Sequence, residues 1–146
     1  MDIDPELERV ARYDIPPQYA RVIGVSVAPG GSYAVVMLET NEGTATEIDQ
    51  TVAERVENHW QGISSGTPSS LIYAGDHRAA ILCNYDDPLP PEVEQVIVGD
   101  RGQEYSVPVE NGYFIFAAWK QDTPGDDTTD PPTPQLVRTV NRGESL

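Results

Sequence analysis

From Ile15 onward, clusters rich in glycine and proline punctuate the chain, "PPQ", "APGG", "SSGTP", "DPLPP", "GDRG" and "ENG", and short apolar runs follow one another at intervals of roughly 8 to 12 residues. Proline removes a backbone donor and fixes φ, and glycine opens the positive-φ turns closed to other residues. Such spacing leaves little room for helices, which average about 11 residues, and ample room for strands of about 5 or 6. About eight short apolar runs lie between the breaks. They predict a mainly β chain, either a two-sheet sandwich or a curved antiparallel meander, preceded by a short helix. A length of 146 residues suits one core, and the composition places a single domain over 1–119.

The helix is read from "DPELERVARY": Asp4 as N-cap, Pro5 at the first helical position, Glu6 in the first turn, and Leu7, Val10 and Ala11 on one face. It must stop at "DIPPQ". "RVIGVSVAPGGSYAVVMLET" then alternates about Gly30-Gly31. That register sets Val27 against Ala34, Val25 against Val36 and Ile23 against Leu38 on one face. The segment Gln50–Ser64 is ambiguous. Ile48, Val52, Val56 and Trp60 recur every fourth residue, as in a helix, whereas Thr51, Val52 and Val56 favour strand, with a Glu57-Asn58 turn that sets Val52 against Ile63.

A "PP" segment, an alternating hairpin, "RVENHWQGISSG" and then "VPVENGYFIFAAW" follow one another between Ile15 and Trp119. In this the chain resembles a group of small uncharacterised bacterial mainly β proteins with an Arg-turn-Trp hairpin, an "SSG" and a C-terminal hairpin of the form VPV-x-(D/N)-GYF. The resemblance implies strand rather than helix for Gln50–Ser64 and implies no activity. "LIYAG", "HRAAILCNY" and "VEQVIVGD" read as further strands. Beyond Trp119, 120–135 is rich in Pro, Thr and Asp and is expected to be a flexible linker. It leads to 136–146, whose "LVRTV" is either loose or docked as an extra strand.

Charge and residue inventory narrow the function. With 24 acidic against 9 basic residues the net charge is −15, which repels phosphate backbones and anionic lipids; neither nucleic acid nor a membrane is expected as partner. "MDIDPELERVARYD" is charged throughout and no apolar run reaches the roughly 18 residues of a membrane span, so the expectation is a soluble, cytoplasmic protein. The lone cysteine, Cys83, suits a reducing compartment and reads as a buried structural thiol. His59 and His77 lack any metal-ligand spacing, and "DTPGDDTTD" lacks the ligand rhythm of a calcium loop; no metal and no cofactor is expected. Asp86-Asp87 and Glu92 with Glu94 read as surface charge. No nucleophile elbow or phosphate loop occurs, which argues against an enzyme.

The last apolar run raises the question of a binding face. With Asn111-Gly112 as a two-residue turn, Val109, Val107 and Tyr105 pair with Phe114, Phe116 and Ala118 on a core face. The other face then carries Tyr113, Ile115 and Trp119 opposite Glu110, Pro108 and Glu104. Pro108 further predicts an edge or bulged strand. The helix, "LVRTV" or another protein could cover this face. As an interface it would be an aromatic stripe framed by carboxylates, fit for a basic or amphipathic protein partner, as in an immunity- or regulator-like binding module. The alternatives are a small-molecule domain whose pocket is lined by Trp60, Tyr73 and Tyr85, or an enzyme whose site is gathered from distant residues. Oligomeric state is not legible.

Overall fold

The computed structural model describes residues 3–13, 15–41, 47–75, 77–85, 87–121 and 130–144. Over these residues it is mainly β with a short N-terminal helix, as the turn spacing predicts, and its strands lie in three antiparallel sheets. Two compact units divide the chain, Met1–Ser69 and Ser70–Leu146.

In the first unit, α1 (Pro5–Arg12) begins as its sequence dictates. Asp4 Oδ1 accepts from the Glu6 and Leu7 amides at 2.8 and 3.4 Å, Pro5 occupies the first turn, and Arg9 and Arg12 lie in the last turn, where cations offset the helix dipole. Four strands follow as a meander in chain order: β1 (Ala20–Val27), β2 (Tyr33–Thr40), β3 (Glu47–Val56) and β4 (His59–Gly66). Leu7 and Ala11 of α1 are buried with Ala20, Ala34, Val36, Leu38, Ala53 and Trp60 of the sheet. Thr51 Oγ1 donates to the Ala11 carbonyl at 3.4 Å and Arg12 Nε to the Ala20 carbonyl at 3.0 Å, tying the end of the helix to β3 and β1.

The first hairpin keeps the expected pairs Val27–Ala34 and Val25–Val36 around a turn with Pro29 and Gly30 at its centre, where Gly30 has φ +88°. It departs beyond Gly24. A bulge leaves Ile23 unpaired, so Val22, not Ile23, opposes Leu38. Val27, beside the turn, is exposed. Gln50–Ser64 is a hairpin, as the resemblance implies. Glu57 and Asn58 both take positive φ, +52° and +67°, so the turn closes in two residues. The fourfold apolar spacing that suggested a helix is overridden by this turn and by pairing on both sides of β3. A second bulge shifts the far end: Val52 pairs with Ser64 rather than Ile63.

In the second unit, β5 (Leu71–Ala74), β6 (His77–Cys83) and β9 (Ile115–Gln121) form one sheet in the order β5-β6-β9. A second sheet, in the order β10-β7-β8, is formed by β7 (Val93–Asp100), β8 (Gln103–Pro108) and β10 (Gln135–Asn141). Val93, Val96, Val98 and Val107 of the latter sheet pack with Phe114, Leu82 and Phe116 in one core. "LVRTV" is therefore a docked strand, pairing Gln135–Asn141 along β7 and burying Val140. Within the expected linker, 122–129 lies outside the described residues, as does most of "DTPGDDTTD".

The Asn111-Gly112 turn forms, with φ +53° and +86° and paired bonds between Glu110 and Tyr113. The hairpin it predicts does not. The ladder stops at that one bridge; β8 pairs with β7 and β9 with β6, so Val107–Phe116 and Tyr105–Ala118 are not strand partners. Asn84, just past β6, accepts from the Phe114 amide at 2.9 Å and donates to the Gly112 carbonyl at 2.8 Å, drawing the chain toward the other sheet. The apolar side chains still meet, but across sheets: the Tyr105 and Phe116 rings lie 5.2 Å apart. Pro108 ends β8, an edge strand, as its missing donor predicts.

Candidate functional site

The residues proposed as a partner-binding stripe are not a surface. Tyr113, Ile115 and Trp119 are buried, at 8, 4 and 7 % exposure. Trp119 meets the His77 ring edge-on at 6.3 Å, and its carbonyl accepts from Arg101 Nη1 at 3.2 Å. Glu104 is exposed and Glu110 half-buried, but they frame no exposed aromatic face. The reason is the switch of partners after Asn111-Gly112: β9 becomes part of a different sheet from β8, and its outward face is no longer outward. Of the pocket candidates, Tyr73 is exposed and stacks under the Arg78 guanidinium at 5.6 Å, Tyr85 is exposed, and both belong to the second unit whereas Trp60 belongs to the first.

Trp60 does line a recess. An open groove of about 450 Å³ runs between α1 and β4, bounded by Arg9, Val10 and Tyr13 of the helix end and by Trp60, Gln61 and Gly62 of the strand. Gly62 faces the helix; a Cβ there would sit 3.7 Å from Val10 Cγ1, an ordinary contact. The Trp60 indole is packed beneath with Leu7 and Ala53, and Arg55, directly opposite on β3, places its guanidinium 6.0 Å from the indole centroid. Tyr13 ends α1 at φ +57°, ψ −126°, a conformation non-glycine residues avoid. It is held there by its amide's bond to the Val10 carbonyl, and its phenol ring projects from the rim, 75 % exposed.

One carboxylate pins the groove's end. Glu6 Oε1 accepts from the Trp60 amide at 2.8 Å, while Oε2 lies 3.0 Å from His59 Nδ1 and 3.6 Å from Arg9. The Trp60 amide, then the His59 ring, with Arg9 adding a smaller attraction, hold the Glu6 carboxyl below its ordinary pKa. Glu6 is thus an ionised clasp between helix and strand. A second hollow of about 330 Å³, lined by Pro17–Arg21, Glu39 and Asn41, is mostly polar and is flanked by an Arg21–Glu39 ion pair at 2.7 Å.

Cys83 is half-buried, and desolvation pushes its thiol up to about 11. Among the described residues, no three His, Cys, Asp or Glu side chains are gathered as a metal site, and no helix is long and apolar enough to cross a membrane. Sequence reasoning missed Glu6, Arg9, Tyr13 and Gly62 as site residues. Two signals were available: a tyrosine directly after the helix and before a proline break, and a glycine two residues from a tryptophan. Compared with protein-family models, with curated proteins and with solved structures, the chain matches none.

Proposed function

We propose that this chain is a non-catalytic binding module, immunity- or regulator-like, that engages a basic or amphipathic polypeptide partner in the groove between α1 and β4. The observation that carries the reading is Tyr13. A non-glycine residue is held in a disfavoured backbone conformation so that an exposed phenol stands over a recess floored by Trp60, and strain of this kind costs about 1 to 3 kcal/mol and gathers at functional sites. Tyr13, Val10 and Trp60 offer an apolar cleft for a side chain, while the net charge of −15 draws cationic segments toward the molecule. A binding role fits the groove's titratable group better than catalysis, because Glu6 is ionised and already shared between an amide and an imidazole.

The test uses Trp119→Phe, which leaves Trp60 as the reporter. Linear peptides with one aromatic or leucine side chain in a lysine-serine frame should change Trp60 fluorescence saturably. Tyr13→Ala should abolish the change and Tyr13→Phe retain it. No saturable response up to about 1 mM, the weakest useful affinity, would retire the groove as a binding site. Saturation by small aromatic amines alone would favour the small-molecule alternative.

A further inference from the structure

The groove has a backbone as well as side chains, and its backbone is that of an edge strand. In the order β1-β2-β3-β4, β4 has, among the described residues, a neighbouring strand on one side only. Exposed edges are normally guarded by lysine, proline or inward charges, yet "HWQGISSG" holds no proline, lysine, arginine or carboxylate. Its one guard within the strand is the bulge at Ile63.

The register shows which groups face outward. Val56 and His59 flank a two-residue turn and so exchange their bonds with each other; from there, alternate residues point toward β3 and away from it. Trp60 and Gly62 therefore turn their amides and carbonyls away from β3, and past the bulge Ser65 does the same. An independent contact confirms the phase: the Trp60 amide is the one that Glu6 Oε1 receives, at 2.8 Å. The carboxylate sits where the carbonyl of a neighbouring strand would sit, and closes the edge at that end. From Gly62 on, α1 forms the wall, with Val10 above Gly62 and Tyr13 farther along.

We infer that the groove takes its ligand by strand addition: an extended, cationic peptide segment pairs with β4 from Gly62 to Ser65, against the wall of α1, and lays one apolar side chain between Val10 and Tyr13. This rests on the reading of the groove as a binding site. Main-chain pairing supplies affinity in this mode and the side-chain cleft supplies choice. Charge selects the occupant. A second copy would bring another −15 to the same edge, whereas a lysine- or arginine-bearing strand is attracted; β4 is uncharged, and the cation on the groove wall, Arg9, is offset by Glu6 at 3.6 Å.

The probe is a library of linear random peptides, eight residues long to match β4, selected on the full chain. The tightest binder is then resynthesised with single backbone N-methyl groups. Strand addition expects lysine- or arginine-rich sequences and a tenfold or greater loss of affinity for N-methylation at alternate positions. It expects changes of less than about threefold at the intervening ones, which carry the same side chains. Amide exchange at Gly62 and Ser65 should slow at least tenfold on binding. Trp60 responding to a peptide with no alternation and no slowed exchange would overturn strand addition and leave groove binding standing. Selection that yields no peptide sensed by Trp60 would overturn both. Slowed exchange at Gly62 in the free chain, accompanied by dimerisation in sedimentation, would replace the peptide by a second copy.

Discussion

Two glycines occupy the same place in two turns of the second unit and should answer very differently to one methyl group. Gly102 (φ +79°) and Gly112 (φ +86°) each follow a positive-φ residue, Arg101 and Asn111, in a two-residue turn. Alanine at either must adopt a left-handed conformation, costing about 1 to 2 kcal/mol. At Gly102 nothing lies within 4 Å of the new Cβ, so the cost ends there. At Gly112 the methyl would stand 2.7 Å from Pro88 Cβ and 3.1 Å from the Leu89 carbonyl oxygen. Relief by shifting the turn is blocked, because the Gly112 carbonyl accepts from both the Leu89 amide and Asn84 Nδ2 at 2.8 Å. Overpacking of this kind adds about 1 to 3 kcal/mol. Gly112→Ala should therefore lose about 2 to 5 kcal/mol and Gly102→Ala about 1 to 2. Urea unfolding in a Trp60→Phe background reads the difference, since Trp119, the remaining indole, belongs to the same unit as both glycines. Equal losses would refute the close packing of the Asn111-Gly112 turn against Pro88 and Leu89.

Three further outcomes are expected. Glu6 has a depressed pKa in the folded state, so the clasp's contribution is complete above the ordinary carboxyl value of 4.5 and is lost as pH falls through the lower folded value. Melting curves from pH 7 to 3 should show Glu6→Gln less stable than the parent at pH 7 and level with it at the acid end; a constant gap would rule the clasp out. Removal of 130–146 deletes β10 and its ladder with β7, and should cost more than about 2 kcal/mol by the Trp119 signal, where a loose tail would cost almost nothing. Trp119→Gln buries a polar group where an indole packs and should cost about 2 to 4 kcal/mol, as Phe116→Gln should; a melt unchanged by Trp119→Gln would restore the exposed face.

What could be read from the chain alone is what depends on a residue and its near neighbours. Asp4 and Pro5 start a helix because a carboxylate meets the free amides of the first turn and proline has none to lose. Asn111-Gly112 turns the chain because few other pairs accept positive φ twice. Alternation placed Ala34, Val36 and Leu38 on one buried face of β2. The bulges at Ile23 and Ile63 sit where the apolar alternation changes phase, between Val22 and Val25 and between Trp60 and Ile63, but the pairing that places them is with a neighbouring strand.

Which strands pair is another kind of question. The Asn111-Gly112 turn is equally compatible with a continued hairpin and with a crossing between sheets. The choice falls to competing bonds from Asn84 and to the packing of Phe114, buried, and Phe116, half-buried, with Val93, Val96, Val98 and Val107. That competition moved Trp119 from a predicted surface to the interior, and with it the predicted binding stripe. The groove was hidden for the same reason. Its clasp joins Glu6 to Trp60, 54 positions apart, and neither residue's neighbours in the chain hold a trace of the other, because burial and edge closure are settled only when distant segments pack.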